Sequence, residues 1–276
     1  MEGADSLQFR DVQGLDADRA WLLSSGPGEL SRVYRTSDGG TTWTLQLVNP
    51  EPDGFYDCLA FRDEQSGLLY GDAVDGELRI LRTQDGGGSW QMSRSVDIPP
   101  ALPGEGGFAA SGTCVALGPG NLAWIGTGAA DTARVLVSRD DGRSWLAVPS
   151  PLPGGEAAGI FTVSFLDATR GVALGGDLGR PAEHTDNVAF TRDGGLTWAV
   201  GGRLAMTGPV YGAAYVPGAP TPTLLAVGPA GADGSTDGGL TWLAADTGSY
   251  WGLGLASPRA GWLVGPAGRI VRVSFE

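Results

Sequence analysis

The sequence contains no lysine; all 18 of its basic residues are arginine. Schiff-base chemistry, and lysine acting as nucleophile or base, are therefore excluded. It has one histidine, His184, and two cysteines, Cys58 and Cys114, with no CxxC pair and no Cys/His cluster, which excludes a zinc site of the usual kind. There is no GxGxxG on a strand-to-helix turn, no haem ligand pair and no GxSxG elbow, so neither a dinucleotide oxidoreductase nor a Ser/His/Asp hydrolase has support. No apolar run approaches the ~20 residues of a membrane-spanning helix, and membrane insertion is not expected. The opening residues, MEGAD, lack the basic and apolar regions of a signal peptide, so a periplasmic or secreted location is expected only if a leader has been removed. A formal charge of -13 and a pI near 4.4 argue against a nucleic-acid track or an anionic membrane surface, which would repel the chain, and are compatible with cationic groups or metal ions.

Glycine and proline are abundant, at 47 and 18 of 276 residues. They fall between short apolar runs, where they read as turns between strands and not as a low-complexity tract. Five segments align without gaps on (S/T)xDxGx(S/T)W: 36–43 (TSDGGTTW), 83–90 (TQDGGGSW), 138–145 (SRDDGRSW), 191–198 (TRDGGLTW) and 235–242 (STDGGLTW). An aspartate two residues before glycine can accept hydrogen bonds from the amides of a tight turn, and the tryptophan can fold over it as an anchor. These octets are read as structural staples rather than as catalytic aspartates.

Each octet is preceded by an alternating apolar strand and by a short run ending in glycine. With the strands entering and leaving the octet, each unit has four antiparallel strands, the blade of a β-propeller. The reading is all-β: one propeller domain, 1–276, with repeats at about 7–49, 55–97, 112–151, 159–204, 210–248 and 251–276. The sixth repeat has three strands and no octet. The ring closes either loosely, with residues 1–6 as a short outer strand, or around a blade that the sequence does not contain. Cys58 and Cys114 take the same position of adjacent innermost strands. A disulfide needs Cα atoms within about 7 Å; neighbouring blades are expected to hold these strands too far apart, leaving two buried free thiols, with a bridge as the alternative.

Taken with FRDVQGLDADRAW, SRVYRTSDGGTTWTLQ, YGDAVDG, PPALPGEGGFAASGT, GEAAGIF, GGDLGRP and VGPAGADGSTDGG, the octets resemble those of the Asp-box (BNR) propellers. The sequence is most similar to bacterial photosystem II stability/assembly factor-like proteins, some of which carry the name oxidoreductase. That resemblance covers essentially the whole chain. It implies a secreted, periplasmic or lumenal binding and assembly role without a cofactor, and seven blades in fuller members. Asp-box propellers also include sialidases, which need three arginines, a tyrosine nucleophile and an acid/base aspartate. Arg134, Arg180 and Tyr211 supply only part of that set.

In a propeller the inter-blade loops and the loops joining second and third strands share the mouth of the central channel, opposite the octets. This rule gathers acidic and aromatic residues at the mouth. Register alignment puts Arg10, Asp57, Thr113, Phe161, Tyr211 and Trp251 at one ring position. Asp57, Phe161, Arg180, Tyr211 and Trp251 are the candidate ligand contacts, the bland reading being aromatics that cap the core. Asp72, Glu105, Glu156 and Asp177 are expected to converge, as ligands for Ca²⁺ or another divalent cation or as an acid/base pair. His184 and Tyr211 complete the catalytic candidates, although a lone loop histidine is more often simply solvated. The apolar segment 98–112 is expected to fold over the mouth as a lid or partner-binding element. Two functions follow. One is a noncatalytic binding or assembly propeller for a protein, peptide or glycan, present as a monomer or weak dimer. The alternative is a hydrolase or lyase acting at the mouth on an ester, phosphoester or glycosidic bond through a bound cation or paired carboxylates.

Overall fold

A computed structural model describes residues 1 and 3–275. Alternating apolar residues broken by glycine turns produce six antiparallel sheets arranged as a β-propeller, with strands in sequence order from hub to rim. Blade 1 is β1 (Phe9–Gly14), β2 (Ala20–Ser24), β3 (Arg32–Thr36) and β4 (Thr44–Val48). Blade 2 is β5 (Tyr56–Phe61), β6 (Gly67–Val74), β7 (Glu77–Thr83) and β8 (Gln91–Met92). Blade 3 is β9 (Val115–Leu117), β10 (Ala123–Gly126), β11 (Arg134–Ser138) and β12 (Leu146–Pro149). Blade 4 is β13 (Ala158–Phe165), β14 (Gly171–Asp177), β15 (Val188–Thr191) and β16 (Ala199–Val200). Blade 5 is β17 (Gly212–Tyr215), β18 (Leu224–Gly228), β19 (Gly231–Ser235) and β20 (Leu243–Asp246). Blade 6 has only β21 (Gly252–Ser257), β22 (Ala260–Gly265) and β23 (Arg269–Val273). Among the described residues, 1–6 add no strand to it.

Each octet links its blade's last two strands, and one bonding scheme serves all five. In the first, Asp38 Oδ1 accepts from the Thr42 amide at 2.8 Å and from the Thr36 hydroxyl, while Oδ2 accepts from the Thr42 hydroxyl. Asp85, Asp140, Asp193 and Asp237 repeat this. Those bonds hold the Asp85 and Asp193 carboxyls down at about 2, the side-chain hydroxyls of Ser89 and Thr197 contributing most. The fourth residue of each octet donates its amide to the loop joining the blade's first two strands, as in Gly39 to Asp18 and Gly194 to Thr169, both 2.9 Å. The octets therefore share a face with those loops, away from the inter-blade loops.

Tryptophans tie the octets to neighbouring blades as well. Trp21 of β2 stacks on Phe61 of β5 at 3.8 Å and donates its indole N–H to the carbonyl of Gly86 in the next octet. Trp124 of β10 repeats this with Phe165 and Gly194. Such pairs add about 0.5–1.5 kcal/mol beyond the area they bury.

Along the hub, residues one step past the ring position join adjacent innermost strands. Asp11 Oδ2 accepts from the Leu59 amide at 2.7 Å, and Thr162 exchanges hydrogen bonds with the backbone of Ala213. Cys58 and Cys114 form a disulfide across blades 2 and 3, with Cα atoms 5.9 Å apart. This overturns the expectation of free thiols: innermost strands converge on the axis, so their separation there falls within disulfide reach.

Five consecutive pairs of innermost strands, from β1 and β5 through β17 and β21, pack against one another, but β21 and β1 make no comparable contact among the described residues. The strands of blade 6 consequently bury one face only. Leu253, Leu263 and Val271 pack on blade 5, whereas Trp262, Val264 and Ile270 on the other face remain exposed. Across the opening, Val12 of blade 1 is 65% exposed, and a Cβ added to Gly254 would meet nothing within 4 Å.

Candidate functional site

Three β-bulges build the ring position. Register shifts fall at Arg10, Asp57 and Phe161, where β1, β5 and β13 begin their run along the hub. A bulge inserts one residue and re-aims its side chain. Thr113, Tyr211 and Trp251 lie immediately before or near the starts of β9, β17 and β21, and Tyr211 and Trp251 donate backbone bonds to Val227 and Val264. The side chains assembled there are chemically varied, as an asymmetric site requires.

The carboxylates sort into pairs instead of one cluster. Asp57, 1% exposed, hydrogen-bonds Asp72, whose Oδ1 accepts from the Gly107 amide at 2.9 Å. Burial, then the neighbouring Asp72 charge, raises the Asp57 carboxyl well above the usual range; Asp72 is raised too, mainly by burial. Of the two, Asp57 is the more strongly raised, being the more deeply buried. The Tyr70 hydroxyl, fully buried nearby, is pushed upward by burial and by Glu105, Asp57 and Asp72. Asp11 is raised to about 8 by burial.

Glu105 faces a cation. Arg134 grips both carboxylate oxygens, with Nε to Oε1 at 2.8 Å; the Thr127 hydroxyl donates to Oε1 at 2.7 Å and the Leu102 amide to Oε2 at 2.9 Å. Asp177 closes its own turn on the Gly179 amide and pairs with Arg180 at 3.4 Å, and Glu156 is exposed. Among the described residues, no three of His, Cys, Asp and Glu come together in a way that could hold a metal ion. The expected convergence of Asp72, Glu105, Glu156 and Asp177 is therefore corrected: Asp57 contacts Asp72, Arg134 neutralises Glu105, and Asp177 pairs with Arg180 while Glu156 is exposed. His184 is exposed on its loop.

The segment after residue 98 occupies the mouth. Gly106 and Gly128 exchange backbone hydrogen bonds at 3.0 and 2.9 Å, and Gly128 also bridges Gly159. Phe108 lies on Phe161 with ring centroids 4.1 Å apart; Phe161 is completely buried, with Tyr211 6.3 Å beyond it. Arg10 donates to the Ala109 carbonyl at 3.5 Å, and the Ser111 hydroxyl to the Tyr211 carbonyl at 2.6 Å. Of the expected ligand contacts, Asp57 and Phe161 are covered, Tyr211 is half-buried, and Arg180 and Trp251 are open to solvent. The sequence reading missed Asp11, Tyr70 and Thr127 as site residues, although Asp11 stands in FRDVQGLDADRAW and Tyr70 in YGDAVDG. Asp11 and Thr127 meet a loop crossing from another blade, at Gly112 and Glu105, and Tyr70 packs in the core between blades 2 and 3.

No helix among the described residues is long and apolar enough to cross a membrane. No protein-family model matches the chain, and no curated protein matches it significantly. Solved structures do. YCF48 bound to D1 peptide aligns over 98% of this chain and 94% of its own, at 18% identity and TM-score 0.54. The GH74 enzyme of Niastella koreensis aligns over 95% of this chain but 36% of its own, at 16% identity and TM-score 0.57. The calcium-binding protein regucalcin of Agrobacterium tumefaciens str. C58 aligns over 90% of this chain and 78% of its own, at 12% identity and TM-score 0.57. At these identities the similarity establishes the fold alone: the chain is a β-propeller.

Proposed function

We propose that this protein is a noncatalytic binding and assembly propeller that takes up an extended protein or peptide segment at its hub. The carrying observation is how the mouth holds an extended stretch of chain: the segment seated there lays Phe108 on the buried Phe161, with Tyr211 half-buried beyond it, and pairs its backbone with Gly128. Main-chain pairing of this kind gives affinity, while side-chain slots give selectivity. A likeness to YCF48 bound to D1 peptide is consistent with this reading. We further place the chain among the Asp-box propellers of the photosystem II assembly factor-like group, on the sequence and uniform bonding of its five octets, and in an oxidising compartment, where the Cys58–Cys114 bridge persists.

The test is to pan a phage-displayed random peptide library on the purified chain and on Tyr211→Ala and Trp251→Ala variants. Enrichment on the parent that falls at least tenfold on a folded variant supports the reading. Equal enrichment on all three, or none on the parent and none on a chain whose residues 105–111 are replaced by a Gly/Ser linker, overturns it.

The alternative, hydrolysis by paired carboxyls, finds less support in this geometry: a glycosidase holds its two carboxyls about 5–9.5 Å apart to admit the sugar, whereas Asp57 and Asp72 are in hydrogen-bond contact with each other beneath Gly106 and Gly107.

A further inference from the structure

The segment Glu105 to Gly112 crosses the hub and touches five of the six blades. Its contacts are Arg10 and Asp11 of blade 1, Asp57 and Asp72 of blade 2, Gly128 beside blade 3, Phe161 of blade 4 and Tyr211 at blade 5, and a Cβ added to Gly252 of blade 6 would stand 3.4 Å from Ser111. Its small residues are required by this course. A Cβ on Gly106 would stand 1.9 Å from Asp72 Oδ1, one on Gly107 2.6 Å from Asp57 Cγ, and one on Gly112 2.1 Å from Asp11 Oδ1. Phe108 fits a slot whose floor is bare backbone: a side chain added to Gly128 would strike its ring at 2.5 Å, and one on Gly159 at 3.2 Å. Upstream, Glu105 is clasped by Arg134 and Thr127.

These features are those of a bound peptide: an ion-paired anchor, reciprocal backbone bonds to Gly128, one aromatic in a fitted slot, and small residues where the chain passes over carboxyls. Building on the reading of the hub as a peptide-binding surface, we infer that Glu105 to Gly112 is a ligand held in cis, and that the external partner is an extended segment of the same pattern, an acidic residue followed by two glycines, an aromatic and small residues, which displaces the loop. Arg134 reads the acid and the Gly128–Gly159 slot reads the aromatic. Because the cis segment is tethered, it competes at high effective concentration, and external binding in the intact chain is weak until the loop is released.

The experiment replaces Glu105 to Ser111 with a Gly/Ser linker of equal length and adds the labelled synthetic peptide LPGEGGFAASG, reading fluorescence anisotropy. The linker variant, its fold checked by melting and by retention of the disulfide, is expected to bind the peptide saturably. Binding should weaken at least tenfold when the peptide's phenylalanine becomes alanine, and be at least tenfold weaker in the parent chain. A folded linker variant that does not bind, or that binds both peptides equally, overturns the inference. Should that variant not fold, Phe108→Ala in the intact chain serves: faster hydrogen exchange at Gly106 to Gly112 together with gained peptide binding supports it, and the absence of either overturns it. Panning separates the two levels. Library peptides captured by the parent while LPGEGGFAASG fails on the linker variant would leave the hub reading standing and remove the cis-ligand inference; no capture by parent or variant would remove both.

Discussion

The carboxyls of Asp57 and Asp72 meet beneath Gly106 and Gly107, where Asp57 is 1% exposed and Asp72 Oδ1 accepts from the Gly107 amide. Two carboxyls so placed cannot both be charged, and burial makes the first ionisation costly. Asp11, at about 8, extends the same condition to the seam between blades 1 and 2. Both are acids whose folded pKa lies above the unfolded value. Their contribution to stability is therefore complete below about pH 4 and is lost as pH rises, through about 8 for Asp11.

Melting temperature should accordingly fall between pH 5 and pH 8.5. Asp57→Asn, which keeps a donor toward Asp72 without a proton to lose, should flatten that slope and stabilise the alkaline side. Each pH unit between folded and unfolded pKa corresponds to about 1.4 kcal/mol. Calorimetry across this range decides it; an unchanged slope in the variant would mean that Asp57 is already ionised.

Arg134→Ala strands Glu105, which is 1% exposed, without its counter-charge. A buried pair broken from one side typically costs about 3–5 kcal/mol, and denaturant unfolding should show a loss of that size. Arg134→Ala together with Glu105→Gln should recover a substantial part of it. If calcium restored the single variant instead, Glu105 would be a metal ligand as the sequence had suggested.

The disulfide closes a 56-residue separation, which on the chain-entropy argument is worth about 4 kcal/mol. Reduction, or Cys58→Ala with Cys114→Ala, should lower the melting temperature clearly, and the denatured, unreduced chain should give no thiol titre.

The free face of blade 6 supplies a contrast. Trp262 is 51% exposed, so Trp262→Ser should change stability by no more than about 0.5 kcal/mol, whereas Trp124→Ala in the blade 3–4 seam should cost about 3–5 kcal/mol. A large loss at Trp262 would show that a second copy or another blade covers that face in solution.

The architecture was legible because it is periodic. Octets, strand alternation and glycine spacing repeat, so Asp38, Asp85, Asp140, Asp193 and Asp237 announce the same turn five times, and the ring position followed from counting. What occurs once was hidden. Cys58 and Cys114 share a repeat position, but their approach depends on how tightly the innermost strands converge. Glu105 looked like a free carboxylate because its partner, Arg134, lies on the next blade's third strand. Asp57 and Asp72 looked independent because a bulge, invisible in the alternation pattern, turns one toward the other. Segment 98–112 was recognisable as a lid from its apolar length, yet its penetration of the hub depends on a glycine-by-carboxyl fit that no spacing rule encodes.

The division of labour between the two faces can be tested directly by placing a photo-crosslinking amino acid at Tyr211, on the hub, and separately at Leu240, exposed on the fifth octet, and adding a peptide selected by panning. Crosslinking from position 211 with none from 240 is the expected result. Crosslinking from 240 alone would put the working surface on the octet face and contradict the account.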